Sequence, residues 1–237
     1  MSFTGFSPDS LAFLSDLAEH NDRAWFAENR DRYERELLGR ERDFVDAVGS
    51  AFAALDQRVQ AVPAVDRSIF RINRDIRFSK DKSPFKTYAD MWFWIGDDRK
   101  SAPGYFLRMV PGSVAIGAGA HRLTPEQIAR FRSAVVDGLH GPWLEHILDD
   151  LRTAGFEVSE PTRKTVPKGF SAQQPRAELL KHTDHLHALR AFSPPPAEFT
   201  SPEFVAWTMG QFAQVKPLVD WLVEQLGGVF PTDMRRR

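Results

Sequence analysis

Cysteine is absent from the 237 residues of this sequence. Its absence excludes disulfide bonds, thiolate metal ligands and cysteine nucleophiles, and it favours a reducing compartment, so we expect a cytoplasmic protein. No apolar run approaches the ~18 residues needed to cross a bilayer. Residues 1–6 also lack the basic and apolar regions of a signal peptide. We therefore expect no membrane partner.

The familiar catalytic motifs are missing too. The sequence contains no G-x-S-x-G nucleophile elbow, no P-loop, no G-x-G-x-x-G run and no H-E-x-x-H zinc motif. The sequence motifs therefore indicate no particular reaction and no cofactor, and they leave open whether the protein is an enzyme.

What the chain does contain is typical of a globular protein. Hydrophobic residues make up 42% of it, with 19 Phe, 6 Trp and 3 Tyr, which is enough to bury a core and excludes general disorder. The 31 basic and 32 acidic residues give a net charge of −1. This balance disfavours, without excluding, a dedicated nucleic-acid binder.

Hydrophobic periodicity predicts helices first and strands second. Apolar residues at helical spacing predict helices over residues 7–20, after Asn21 and over 40–56. Alternation and aromatic content then predict strands, as does the Pro111-Gly112 turn between the last two. The predicted strands cover residues 68–78, 88–95, 104–110 and 113–118.

Helices return in the C-terminal half. Thr124-Pro125-Glu126-Gln127 is a capping-box pattern that predicts a helix to about residue 137, and further helices are expected over 142–154 and from Ser201-Pro202 onward. The expected fold class is α+β. N-terminal helices precede a central antiparallel meander of about four or more strands, and C-terminal helices pack on the sheet. We expect one domain over residues 1–226 and a flexible tail over 227–237.

Positive charge is concentrated between Arg67 and Lys86. Seven basic residues and only two acidic ones lie there, a local net charge of +5 in a chain of net charge −1. The basic residues are Arg67, Arg71, Arg74, Arg77, Lys80, Lys82 and Lys86. Such asymmetry indicates a site for an anion.

Strand geometry would divide these residues between two faces. Arg74 falls among apolar residues, so it needs a carboxylate partner or a cleft. Arg71, Asp75 and Arg77 fall on the opposite face, where two guanidinium groups beside a carboxylate suit a phosphate pocket. Asp75 orients an arginine in this interpretation, or acts as a base if the protein is an enzyme.

Lysines complete the predicted binding site. Lys82 and Lys86 lie in the polar loop after the predicted strand, and Lys168 lies in a second basic stretch over 163–168 that can form another wall. Either stretch can instead be ordinary basic surface.

At these residues the sequence resembles a known family. The run from Phe70 to Thr87, FRINRDIRFSKDKSPFKT, looks like the signature of an uncharacterised bacterial and fungal family, domain of unknown function 2461. Asn21-Asp22-Arg23-Ala24-Trp25-Phe26 is similar to its N-terminal N-x-R-x-W-F segment, and Val166–Phe170 resembles its P-K-G-F segment. The resemblance covers nearly the whole chain and implies a single conserved domain without a settled activity.

Other chemical groups give weaker signals. Glu28 or Glu34 can supply a base or the partner of Arg74. His182, His185 and His187 follow no zinc motif, so we expect no metal. A further set, Tyr88, Trp92, Phe93 and Trp94, can stack nucleobases or simply fill the core.

Three functions therefore remain open. The first is a site for a phosphorylated small molecule or nucleotide; the second is a nucleic-acid or protein interaction module; the third is a purely structural charge network. The sequence does not reveal the oligomeric state.

Overall fold

The structure is a computed structural model, and it describes residues 3–227. Four helices open the chain: α1 (Pro8–Glu19), α2 (Arg23–Glu28), the single turn α3 (Arg30–Arg32) and α4 (Gly39–Leu55). Between α3 and α4 the backbone is π-helical over Tyr33–Leu38. Pro8 stands at the start of α1, as the sequence pattern indicates. The side chain of Asp22, the residue after Asn21, caps α2.

Six strands form one antiparallel sheet, as predicted for an α+β fold. They are β1 (Val59–Gln60), β2 (Ala89–Ile95), β3 (Gly104–Val110), β4 (Ser113–Ala120), β5 (Glu157–Val158) and β6 (Leu186–Phe192). Their spatial order is β1-β2-β3-β4-β6-β5. The predicted meander corresponds to β2, β3 and β4, whereas β6 is an additional strand that the sequence pattern did not indicate.

The C-terminal helices also match the prediction. They are α5 (Pro125–Val136), α6 (His140–Thr153) and α7 (Phe204–Leu226). Two short 3₁₀ turns, Leu179–Lys181 and Ala197–Thr200, lie between α6 and α7, as do β5 and β6. The capping box at Thr124 is present, and Pro217 lies inside α7. No helix among the described residues is long and apolar enough to cross a membrane.

The predicted strand over residues 68–78 is not a strand. Its backbone makes single bridges, Ile69 with Met91 and Asn73 with Phe85, instead of a continuous ladder. Proline has no N–H to donate, so Pro84 removes one donor from the pairing segment, and the N–H of Phe85 bonds to the Asn21 side chain. The segment is therefore an irregular loop held at isolated points.

The described chain divides into two compact units. The first contains residues 3–93, Phe106–Ile116 and Ala191–Gln211, and the second contains Trp94–Tyr105, Gly117–Arg190 and 212–227. Our expectation of one domain over 1–226 stays a prediction, and the predicted tail after Gly227 lies outside the described residues.

Each unit has its own aromatic packing. In the first unit Phe52 of α4 packs on Phe93 of β2, with ring centroids 5.5 Å apart. In the second unit Tyr105 of β3 packs on Phe212 of α7 at 5.0 Å. Trp92 and Trp94 are buried. Their burial supports the core interpretation of these aromatics and leaves them unavailable for base stacking.

Candidate anion-binding site

A cavity of about 620 Å³ opens in the first unit. Two walls form it, one from the helical segment Arg23–Arg42 and the other from the irregular segment Val65–Phe85. Five arginines and one glutamate are the charged residues of its lining: Arg23, Arg30, Arg42, Arg71, Arg74 and Glu34. The lining thus carries a formal charge of +4, five positive charges less one negative.

Apolar side chains form the rest of the surface. Phe26 and Tyr33 come from the helical wall, and Ile72, Pro84 and Phe85 come from the irregular wall. Tyr33, Ile72 and Phe85 are buried. Burial raises the pKa of the Tyr33 phenol, and the Glu41 carboxylate raises it further, so this hydroxyl is protonated at neutral pH.

Asn21 ties the two walls together. Its side-chain amide donates to the carbonyl oxygen of Phe85 at 3.0 Å, and its amide oxygen accepts from the N–H of Phe85, also at 3.0 Å. Phe26 stacks on the Phe85 ring with centroids 4.1 Å apart. These contacts give the N-x-R-x-W-F-like segment a structural explanation, because Asn21 anchors the loop, Phe26 packs on it and Arg23 lines the cavity.

Backbone bonds hold the irregular wall. The N–H of Arg74 donates to the Pro84 carbonyl at 2.9 Å, and that of Lys86 donates to the Ile72 carbonyl at 2.8 Å. The segment carrying Arg71 and Arg74 is therefore fixed against the segment before β2, and both arginines line the cavity.

The five arginines differ in their partners. Arg74 pairs with the Asp81 carboxylate and is 27% exposed. Within residues 3–227, Arg23, Arg30, Arg42 and Arg71 form no ion pair. Four arginines therefore line the cavity without an ion pair to a carboxylate among the described residues.

Asp81 is fixed by its own loop. It accepts hydrogen bonds from the side chain and the N–H of Ser83 at 2.7 and 2.9 Å. These bonds, together with the pairing to Arg74, hold the pKa of Asp81 well below its usual value, so it is ionised at neutral pH.

Arg77 and Asp75 lie elsewhere. Arg77 donates to Asp75 at 2.6 and 2.9 Å, both side chains are solvent-exposed, and neither lines the cavity. The hydrogen bond from Arg77 lowers the pKa of Asp75, which makes this carboxylate a weaker base. The structure thus brings Arg71 and Arg74 together and leaves Arg77 and Asp75 outside.

The predicted lysines also lie apart from the cavity lining. Lys82 donates to the Ile76 carbonyl at 2.9 Å and lines a shallower neighbouring depression. Lys86 donates to the Arg71 carbonyl at 2.8 Å, and burial lowers its pKa. Lys168 is exposed in the second unit. Lys86 thus contributes indirectly, by fixing the backbone that carries Arg71.

The sequence analysis included Glu34 as a candidate base or partner of Arg74. It did not identify Arg30 and Arg42 as residues of the site. Arg74 takes Asp81 as its partner, which leaves Glu34 as a free carboxylate of the cavity lining. In the sequence, Arg30 and Arg42 have the pattern of solvent-exposed charges on an amphipathic helix, so they were not predicted to lie at a site. The π-helical turn between them changes which face of the helical segment lies against the loop, and local sequence does not indicate that turn. For Arg23, the available signal was the similarity of Asn21–Phe26 to the N-x-R-x-W-F segment of the family, in which Arg23 is the arginine.

The histidines of the second unit cluster without forming a metal site. Ring centroids of His121 and His187 lie 5.1 Å apart, and those of His185 and His187 lie 5.5 Å apart. Among the described residues, no group of three or more histidine or acidic side chains has metal-binding geometry.

A family model described as "Conserved hypothetical protein (DUF2461)" matches residues 9–221. The chain belongs to this family. No curated protein and no solved structure matches the sequence. The DUF2461 match includes every residue that lines the cavity.

Proposed function

We propose that this DUF2461 protein binds a phosphorylated small molecule, such as a nucleotide, in the arginine-lined cavity of its first unit. The observation that carries the proposal is the set of four cavity arginines with no carboxylate partner among the described residues. Guanidinium groups present planar forks that match phosphate oxygens. A volume of about 620 Å³ also lies in the usual range for small-molecule sites.

The alternative of a structural charge network has less support. It accounts for Arg77 with Asp75, and for Arg74 with Asp81. It does not account for four unpaired guanidinium groups around one concavity, because like charges brought together without a counter-ion raise the free energy of the fold.

A nucleic-acid interface also has less support. Three of its four predicted stacking residues, Trp92, Phe93 and Trp94, are buried, and the fourth, Tyr88, is half-buried. The net charge of the chain is −1. The salt dependence of binding separates the two cases, because a polymer releases many counter-ions and its affinity falls steeply with salt. We further propose a cytoplasmic location, which the absence of cysteine supports.

The proposal is tested by comparing Arg71→Ala with Arg77→Ala. The two arginines lie in one segment, but only Arg71 lines the cavity. Isothermal titration with ATP and with pyrophosphate should show binding to the wild type. Affinity should fall about 10- to 100-fold in Arg71→Ala, because a hydrogen bond to a charged group contributes about 1.5–3 kcal/mol.

Arg77→Ala should bind as the wild type does. Equal losses in the two variants would place the site elsewhere. If neither ATP nor pyrophosphate binds to the wild type, the proposed function is wrong.

A further inference from the structure

The charge of the cavity limits how many phosphates its ligand carries. One phosphate monoester brings about −1.5 to −2 at neutral pH, whereas the lining carries +4. A monophosphate would therefore offset at most half of the positive charge of the lining. Two or more phosphates would balance it.

The cavity is also larger and less polar than phosphates alone require. Phe26, Ile76 and Pro84 line it with the buried side chains of Ile72 and Phe85. An apolar wall gains free energy by covering a carbon framework and loses contact energy against a fully hydrated ion. The ligand therefore has a carbon-containing part beside its phosphates.

Glu34 is the single carboxylate among the cavity-lining residues. Within residues 3–227 its side chain makes no hydrogen bond and no ion pair. A carboxylate only accepts hydrogen bonds, so it repels a phosphate and attracts a donor. Five surrounding arginines disfavour a cationic donor such as an ammonium group. A neutral hydroxyl group donates a hydrogen bond to the carboxylate without adding positive charge beside the arginines.

The π-helical turn determines where Glu34 lies. Tyr33, Glu34 and Leu38 all belong to this turn and all line the cavity. π-helical insertions are rare and frequently occur at functional sites, because the extra residue changes which side chains face one way. The turn therefore presents the free carboxylate on the same surface as the arginines.

We propose that the ligand is a polyphosphorylated molecule with free hydroxyl groups, whose phosphates bind the cavity arginines and whose hydroxyl groups donate to Glu34. This inference rests on the proposed function of the site and narrows its ligand class. Nucleoside polyphosphates and sugar bisphosphates share this chemistry.

The phosphate requirement is tested with ligands that differ only in charge. Orthophosphate, pyrophosphate and tripolyphosphate are titrated into the wild type at low salt without divalent cations. Affinity should rise about tenfold or more with each added phosphate, because each brings new charge-assisted hydrogen bonds. Equal affinities would overturn the polyphosphate requirement and leave phosphate binding itself standing.

The hydroxyl requirement is tested with ATP and 2′,3′-dideoxy-ATP, which have the same charge and the same base. The wild type should prefer ATP by about tenfold, the contribution of one hydrogen bond to a carboxylate. Glu34→Ala should abolish that preference and bind tripolyphosphate more tightly than the wild type does. Glu28→Gln, an exposed change outside the cavity lining, should retain the preference.

The outcomes separate the two proposals. If no phosphorylated compound binds, the proposed function fails. If ATP and dideoxy-ATP bind the wild type equally, or Glu34→Ala keeps the preference for ATP, only the assignment of Glu34 fails. Fructose 1,6-bisphosphate, titrated in parallel, identifies the source of the ligand, since tighter binding of it than of ATP supports a sugar phosphate and the reverse supports a nucleotide. Glu34→Met, which keeps the side-chain length but has only a weak acceptor, repeats the test should the alanine variant not fold.

Discussion

Glu41 of the first unit has a buried carboxyl group. It is 2% exposed, and its Oε1 atom has no hydrogen-bond partner. Burial raises its pKa well above the usual value, and the negative charge of Asp90 adds to the effect. The folded protein therefore binds the Glu41 proton more tightly than the unfolded chain does.

Glu41→Gln should stabilise the protein at alkaline pH. A carboxyl group with a raised pKa costs stability as the pH rises above 4.5, its ordinary value, because the unfolded chain gains by ionising. In the wild type the free energy of unfolding should fall between pH 5 and 8, by about 1 kcal/mol or more for each unit of pKa difference. The glutamine variant should lose this part of the fall, as measured by urea unfolding across that range.

The exposed change Glu19→Gln is the matched control. It should leave the pH dependence of the wild type intact. A pH profile of Glu41→Gln identical to that of the wild type would show that Glu41 is ionised in the fold.

The arginines show what residue patterning can and cannot predict. The charge concentration drew attention to Arg71 and Arg74, and both residues line the cavity. Strict alternation, however, placed Arg71 with Arg77 and set Arg74 on the other face. The backbone is irregular there, so side chains do not alternate, and Arg77 instead bonds its near neighbour Asp75. The backbone of Phe85 in this loop bonds to the Asn21 side chain, 64 residues earlier in the chain, and local sequence does not predict such a distant partner.

Among the elements, the π-helical turn has a specific sequence requirement at its C-terminal end. Its C-terminal neighbour is Gly39, whose N–H donates to the carbonyl of Glu34. A Cβ atom at Gly39 would lie 2.9 Å from that carbonyl oxygen. Glycine thus permits the close approach that the turn requires.

Gly39→Ala and Gly210→Ala should have opposite effects on stability. In an ordinary helix, replacing glycine by alanine stabilises by up to about 1 kcal/mol. A Cβ atom at Gly210 in α7 would have open space for 4 Å around it, so this variant should show that gain. Gly39→Ala should lose stability, because the carbonyl of Glu34 must move.

Urea unfolding of both variants measures the difference. A stabilised Gly39→Ala protein would mean that the helix tolerates an ordinary turn there. Ligand titration of the same variant should show weaker discrimination between ATP and dideoxy-ATP, since Glu34 would shift with its backbone.

Element prediction succeeded where local signals were strong and failed where pairing was distant. The capping box at Thr124 and the Pro111-Gly112 turn are local, and the elements beside them were placed within a few residues. Strand β6 was missed because its residues form a strand through partners far along the chain. Leu189 pairs with Glu157, and the backbone of β6 lies close to Gly117 of β4.

The free energy of unfolding of the whole molecule should fall both as the pH rises and as it becomes acidic. In the second unit, His182 is 2% exposed, and its Nδ1 atom bonds to the carbonyl of His185 at 2.9 Å. Burial lowers the pKa of His182 from 6.5 to about 4. Glu41 in the first unit lowers stability as the pH rises, and His182 in the second unit lowers it as the pH falls.

His182→Gln should remove part of the acid sensitivity. A base with a lowered pKa costs stability as the pH falls below 6.5, since the unfolded chain gains by binding a proton that the fold excludes. The wild type should lose about 3 kcal/mol between pH 6.5 and 4 from this group. Glutamine can still donate to the His185 carbonyl but does not titrate.

Urea unfolding from pH 7 to 4 measures the effect, with the exposed change His146→Gln as control. The control should lose stability as the wild type does. If His182→Gln has an equally steep profile, His182 is protonated in the fold at mildly acidic pH.

The lining of the cavity comes from one continuous stretch of chain, from Arg23 to Phe85, and Asn21 fastens the beginning of that stretch to its end. Recombination between two members of the family at points just outside residues 21–86 should therefore transfer the ligand preference that we propose for this cavity. Crossovers inside the stretch would instead pair mismatched walls.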